Sequence, residues 1–233
     1  MSLTELLLLG IGFVVLTVAV LSVYPGELSW FSGRLHARLY DASAAGYEKK
    51  WLRHNYEPYD RMVRDAAERL SQVESPLVLD LCSGTGRALF VAIEELGEHG
   101  SYTAVDRSAE MLLRAQERAR TLDAATSSRI NTVVADIDTW LRGSRSCSFD
   151  LITLMEASEF IPRFIEICPR ITDRLKPNGL FVLTYPTPFY ALFFPGRGQR
   201  RGQLHRLLVA SGMTIKKDMS WRSRYRLCVA AKA

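Results

Sequence analysis

The chain opens on an apolar run with no polar stripe. Residues 6–24 hold no Asp, Glu, Lys or Arg. At the rise of an α-helix that stretch reaches roughly 30 Å, the thickness of bilayer hydrocarbon. A soluble helix keeps one polar face, and this run has none. The pattern predicts a transmembrane anchor over 1–27. Glu5 and Glu27 bracket it, and Tyr24 and Trp30 suit the interfacial belt. A cleaved signal peptide fits less well: Met1–Glu5 carries no Lys or Arg, and Val20–Tyr24 is a poor small-x-small cleavage site. Arg34, Arg38, Lys49, Lys50 and Arg53 follow the run and nothing basic precedes it. Positive charge stays inside, so the rest of the chain is expected in the cytoplasm and the short N-terminus outside.

Beyond the run the periodicity changes twice. Residues 28–70 read as a juxtamembrane helical cap, with aromatic positions Trp30, Phe31, Tyr40, Tyr47, Trp51, Tyr56 and Tyr59. It ends in an amphipathic helix that places Met62, Val63, Ala66, Ala67 and Leu70 on one side. Residues 71–233 then alternate short apolar runs with helical patterns, the rhythm of a doubly wound α/β sheet. Strands are predicted at about 77–82, 102–105, 130–135, 149–155 and 180–185, with Lys176–Gly179 as a turn before the last. Helices are predicted at about 86–97, 109–120, 162–174 and 200–211. Residues 213–221 and 224–231 read as a closing hairpin. Ser108 is placed to cap the second of these helices.

Composition alters this picture little. The formal net charge is +5 and the sequence pI about 9.1, a weak pointer to an anionic partner. Cys82, Cys147, Cys168 and Cys228 form no C-x-x-C and no Cys/His cluster with metal spacing. A reducing compartment and no metal centre are the expectation.

The candidate chemistry gathers at strand ends. Val78-Leu79-Asp80-Leu81-Cys82-Ser83-Gly84-Thr85-Gly86-Arg87 is an apolar run, an acid, a small-residue turn and a helix start. Such a turn brings backbone and free N–H groups close to a ligand. It is not the dinucleotide G-x-G-x-x-G, because position 89 is Leu. Asp106 closes the second strand, where an acid can accept both hydroxyls of a ribose. Asp136-Ile137 closes the third.

Asp-x-small-small-Gly-Thr-Gly after a strand resembles motif I of the class I S-adenosylmethionine (SAM)-dependent methyltransferases. The wording Asp-Leu-Cys-x-Gly-Thr-Gly is similar to the small-molecule, quinone-biosynthesis-like branch. The resemblance covers roughly residues 40–233. It implies a Rossmann-like, seven-stranded, mostly parallel sheet of order 3-2-1-4-5-7-6, and SAM as cofactor. It implies that Asp80, Cys82, Ser83, Gly84, Thr85 and Gly86 hold the methionine side, with Cys82 where many relatives have Gly. Asp106 would bind the ribose, and Arg107, Ser108 and Met111 would edge the adenine. Asp136 would accept the adenine amino group, while the Ile137 N–H meets a ring nitrogen. Tyr40-Asp41-x-x-Ala-x-x-Tyr47 is similar to a segment that lies over the cofactor in many small-molecule relatives.

The acceptor is less determined. Glu156 and Glu159, after the fourth strand, are the candidate proton-accepting residues, with His205 a distant third. The Asn/Asp-Pro-Pro-aromatic tetrad of amino-methylating nucleic-acid enzymes is absent, and Cys168-Pro169 reverses the Pro-Cys order of cytosine-5 enzymes. Both absences argue against nucleic acid. Pro186–Arg197 holds Phe189, Tyr190, Leu192, Phe193 and Phe194, too apolar for an ordinary solvated loop. It is expected either to dip into a membrane surface and line a pocket for an apolar substrate, or to fold back as a core plug. The whole reads as a membrane-anchored methyltransferase acting on a hydrophobic small molecule or lipid. The alternatives are a membrane-tethered protein or RNA methyltransferase and a non-catalytic SAM-binding protein.

Overall fold

The computed structural model describes residues 2–26, 33–51, 55–143, 148–194, 197 and 199–233. Expectations placed on Glu27, Trp30, Phe31, Arg53, Cys147, Pro195 and Gly196 fall outside these. So do those resting on the side chains of 18–26, 33–36 and 48–51.

The chain begins with α1 (Leu3–Gly26), α2 (Gly33–Trp51) and α3 (Glu57–Glu68). Alternation follows: β1 (Leu77–Leu81), α4 (Arg87–Leu96), β2 (Ser101–Asp106), α5 (Ala109–Ala119), α6 (Ala124–Ser127), β3 (Ile130–Val134), α7 (Ile137–Gly143) and β4 (Phe149–Leu154). The last part holds α8 (Phe164–Thr172), β5 (Leu175–Pro186), α9 (Pro188–Ala191), α10 (Arg201–Ala210), β6 (Met213–Trp221) and β7 (Tyr225–Lys232). The short helices α6, α7 and α9 had no separate signal in the hydrophobic pattern.

The described strands form one sheet in the order β3-β2-β1-β4-β5-β7-β6. Pairing is parallel from β3 to β5, and β7 runs antiparallel to both β5 and β6. The strands read as continuous apolar runs because both faces are covered. Along β1, Val78 faces one core cluster while Leu79 and Leu81 face the other. Along β5, Leu180 and Val182 alternate with Phe181, Leu183 and Tyr185 in the same way. The first cluster packs α3, α4 and α5 through Met62, Val63, Leu89, Phe90 and Leu112. The second packs α7, α8 and α10 through Leu141, Phe164, Ile171, Leu204 and Leu208.

One boundary needs correction. Lys176–Gly179 is not a turn ahead of β5 but an interruption within it. Leu175 already pairs with Phe149, and the register then jumps to Leu151 with Leu180. Asn178 takes a left-handed φ of 64° to make the excursion.

The helix α1 is apolar on all its described sides: Leu6, Leu7, Leu8, Leu9, Ile11, Phe13, Val14, Val15 and Leu16 are all exposed. Among the described residues no helix is both long and apolar enough to cross a membrane. Side chains in α1 are described only as far as Thr17.

The turn after β1 carries the tightest backbone demand. Gly86, at the start of α4, has φ 84°, and a Cβ there would lie 2.9 Å from the Phe90 ring. Gly86→Ala is therefore expected to cost about 2–3 kcal/mol. The readout is a lower urea midpoint with an unchanged m-value.

Candidate active site

The carboxyl ends of β1, β2, β3 and β4 open on one cavity with about 830 Å³ of empty space. Ligands bind at this edge in open parallel sheets, because successive loops there diverge to opposite faces. The turn after β1 supplies Cys82, Ser83, Gly84 and Thr85, and the end of β2 supplies Val105, Asp106 and Arg107. Ala135 and Ile137 come from beyond β3, and Met155, Glu156, Ala157 and Phe160 from beyond β4. Tyr40 and Tyr47 of α2, with Tyr59 of α3 and Arg87 of α4, complete the wall.

The turn is held by two carboxylates. Asp80 is buried beneath it and accepts hydrogen bonds from Ser83 Oγ and Thr153 Oγ1, each at 2.6 Å. Burial pushes its carboxyl up to about 6, against the lowering effect of those two hydroxyls. Asp106 accepts from the backbone N–H of Gly84 and of Ser108, both at 2.8 Å. It thus ties the β1 turn to the start of α5. Burial raises its carboxyl too.

Cys82 has a φ of 53°, in the left-handed region that glycine favours. That is the physical sense of a cysteine standing where many relatives have Gly. Burial pushes its thiol far above the usual range, so it is no thiolate at neutral pH. Gly84, at φ 56°, approaches the cavity with bare backbone; a Cβ built there meets nothing within 4 Å. Thr85 Oγ1 is buried, and among the described residues it has no hydrogen-bond partner.

Other sequence-predicted positions lie outside the cavity wall. Met111 is fully buried in the core, and its N–H donates to the Ser108 Oγ at 3.2 Å. Ser108 therefore caps α5, as its position in sequence indicated. Asp136 is exposed at the rim and accepts from the Asp138 N–H at 2.9 Å, while its neighbours Ala135 and Ile137 line the cavity. Glu159 is fully buried, bonded to Ser158 and the Tyr225 hydroxyl, and does not line the cavity. It is thus removed from the place a proton-accepting residue must occupy. His205 pairs with Asp218 at 2.6 Å and is likewise no part of the wall.

Glu156 does reach the wall, at a left-handed φ of 50°. Its carboxylate accepts from the Tyr56 hydroxyl at 3.0 Å and from Arg222 at 3.4 Å. Tyr56 is in turn covered by the Arg87 guanidinium, 4.3 Å from its ring centroid, and Arg87 is clamped by both oxygens of Asp60 at 2.9 and 2.6 Å. Burial, then the Glu156 charge, raises the Tyr56 hydroxyl above its ordinary range, so it stays a donor. Sequence reading missed Arg87 and Arg222 in this arrangement. No local spacing joins positions 56, 87, 156 and 222.

The helix α2 covers the cavity and leans on the start of α5. Asp41 accepts from the Ser108 hydroxyl at 2.5 Å, and Tyr40 and Tyr47, with ring centroids 6.0 Å apart, both face the cavity. The segment containing Tyr40-Asp41 and Tyr47 therefore lines the cavity at the strand ends.

Comparison with known proteins follows the same lines. Residues 74–226 match the sequence profile of a methyltransferase domain. The fold is similar to magnesium protoporphyrin IX methyltransferase from Synechocystis PCC 6803 with bound SAM. That similarity has a TM-score of 0.58 at 14% identity, covering 75% of this chain and 80% of that one. It is also similar to an N-methyltransferase from Bradyrhizobium japonicum WM9 in complex with S-adenosyl-L-homocysteine, with a TM-score of 0.58, 16% identity, and 76% and 86% coverage. An O-methyltransferase family protein from Burkholderia thailandensis gives a TM-score of 0.61 at 14% identity, covering 76% of this chain and 56% of that one. A search of curated proteins gives no match. The bare backbone at Gly84, the unpartnered Thr85 hydroxyl and a cavity reaching four strand ends fit a bound nucleoside with a short polar tail. With more than half of its length matched, the chain belongs to the methyltransferase domain family and is a SAM-dependent methyltransferase.

Proposed function

We propose that this enzyme methylates a hydrophobic small-molecule or lipid acceptor while tethered to a membrane by α1. The observation that carries the acceptor class is the aromatic part of the cavity lining. Tyr40, Tyr47, Tyr59 and Phe160 bring aromatic surface to the cavity that the Glu156 carboxylate also lines. Such a lining suits an apolar or planar acceptor, with Glu156 to orient it and take a proton.

On the cofactor side, Asp106 would hold the ribose, Ala135 to Ile137 would edge the adenine, and the turn from Cys82 to Gly86 would receive the methionine tail. SAM when bound supplies an electrophilic methyl group on a sulfonium. The chain's own task is alignment and charge. Asp80 stands behind the turn as a carboxylate that becomes easier to ionise beside a cation. Glu156 is held from two sides by Tyr56 and Arg222, so its orientation is fixed before the acceptor arrives.

The anchor rests on the exposed apolar surface of α1 described above. Water does not tolerate such a helix on all sides, and a bilayer does. In this reading residues 1–27 anchor the chain, 28–70 form a cap, 71–233 carry catalysis, and the catalytic domain faces the cytoplasm. Nothing in the cavity favours the alternative of a protein or RNA acceptor over this one.

Incubation with methyl-labelled SAM and a membrane lipid extract, followed by identification of the product, tests the acceptor class. Label confined to protein or RNA would sink it. Glu156→Gln is expected to slow methyl transfer at least about 100-fold while leaving SAM affinity within a few-fold. Comparable turnover of the variant would remove Glu156 from proton transfer.

The charge on Asp80 gives a pH dependence. Its raised carboxyl means the free protein is destabilised as pH rises from the ordinary carboxylate range through 6, and a cation bound nearby relieves this. SAM affinity by calorimetry is therefore expected to be full at pH 7 and to fall about tenfold by pH 5. In Asp80→Asn that slope flattens. For the anchor, Leu8→Arg with Val15→Arg is expected to move the chain from the carbonate-resistant membrane fraction to the soluble one. Retention of the variant in the membrane would count against α1.

A further inference from the structure

A buried phenol ordinarily finds a hydrogen-bond partner, because an unpaired O–H away from water costs more than a made bond gains. Other buried tyrosines of this chain obey that rule. Tyr56 donates to Glu156 at 3.0 Å, Tyr102 to the Gly97 carbonyl at 2.7 Å, Tyr185 to Asp218 at 2.8 Å, and Tyr225 to Glu159. Tyr59 does not. It is only 4% exposed, and among the described residues its hydroxyl makes no hydrogen bond. Tyr59 also lines the cavity. A hydroxyl so placed is satisfied by what enters that cavity.

The ring is held in place by its neighbours. Tyr56 meets it edge-on, with centroids 5.6 Å apart and planes at 77°, and Trp221 lies 5.5 Å away. Trp221 is itself tied through its indole N–H to the Asn55 carbonyl at 3.2 Å. The Arg87 guanidinium sits 5.9 Å from the Tyr59 ring centroid. A ring packed in this way cannot swing to find another partner.

Those neighbours belong to two different functions. Tyr56 carries the hydrogen bond to Glu156, whereas Arg87 directly follows the turn from Cys82 to Gly86. Tyr59 thus stands where the two meet. The electrostatics agree with the packing. Burial first, then the Asp80 and Glu156 carboxylates, raise the Tyr59 hydroxyl well above its ordinary range. One of those acids lies beneath the turn and the other is the candidate proton acceptor. The hydroxyl therefore stays protonated at neutral pH and offers a donor and lone pairs together.

We propose that the Tyr59 hydroxyl contacts the reacting centre, at the methyl-bearing end of the cofactor where it meets the acceptor. This inference rests on the reading that puts the methionine tail on the turn after β1 and the acceptor beside Glu156. Tyr59 forms no bond and moves no proton. It presents an oxygen lone pair to a carbon that carries partial positive charge during transfer. A fixed dipole does this without reorganising as the charge moves.

The test needs no acceptor. Sinefungin carries an amine-bearing carbon in place of the methylated sulfur, and S-adenosyl-L-homocysteine has a bare sulfur there. Calorimetry on the full chain compares the two ligands for Tyr59→Phe. The expected result is at least about fivefold weaker sinefungin binding, with S-adenosyl-L-homocysteine held within about twofold. No protein hydrogen bond is lost, so the urea midpoint of the ligand-free variant should match the parent. Tyr102→Phe, the control away from the cavity, should lower that midpoint and leave the ratio of the two affinities unchanged. If Tyr59→Phe does not fold, 3-fluorotyrosine at position 59 keeps the hydroxyl. Its fluorine resonance should then move further with sinefungin than with S-adenosyl-L-homocysteine. Equal losses for both ligands, loss for neither, or equal fluorine shifts overturn the contact and leave the cofactor placement standing. Asp106→Asn probes that placement separately and is expected to weaken both ligands alike, by about tenfold. Undiminished binding there would sink the placement, and the Tyr59 contact with it.

Discussion

Asp106 holds the site together. One carboxylate accepts the Gly84 N–H from the turn after β1 and the Ser108 N–H at the start of α5. With the Ser83 N–H donated to the Val105 carbonyl at 3.1 Å, that bridge fixes the spacing of two loops from adjacent parallel strands. The backbone between them is already under demand, with Cys82, Gly84 and Gly86 all in the left-handed region. Asp80 secures the turn from below through Ser83 and Thr153, at the expense of a buried charge. The cavity is therefore shaped first by a central strand end and its two acids, and only afterwards by the helices that cover it.

What could be read in the sequence follows this hierarchy. The turn, the strand-end acids and the Ser108 cap are local, so their spacing along the chain reports them directly. The sheet order came with the motif, because that motif belongs to few topologies. Glu156 was findable as an acid just after β4. Its partners were not, since Tyr56, Arg87 and Arg222 come from three distant segments that only the folded sheet brings together. Glu159 looked equivalent to Glu156 in sequence. Three residues of chain carried it from the cavity wall into the core beneath Tyr225. The aromatic stretch after β5 was ambiguous for a related reason. Hydrophobicity along a loop does not say which rings turn inward, and here Tyr190 and Phe194 do while Phe189 and Leu192 do not.

The two halves of the cavity are built by different physics. The cofactor side is backbone geometry and carboxylates, a surface with little side-chain bulk. The aromatic area and the Glu156 carboxylate come instead from α2, α3 and the region after β4. Such a division lets the acceptor wall vary while the cofactor side stays constrained, which is how one fold serves many acceptors.

The Asp41–Ser108 bond has a kinetic meaning as well. α2 lines the cavity with Tyr40 and Tyr47 and at the same time leans on the cap of the helix that follows Asp106. Any outward swing of α2 must break that bond, and a hydrogen bond to a carboxylate is worth about 1.5–3 kcal/mol. The open form is then disfavoured by roughly ten- to a hundredfold through this contact. In many enzymes the opening of such a covering element, not the chemistry, limits the rate of product release. The helix that follows the apolar N-terminal segment is thus the covering element that this contact holds in place.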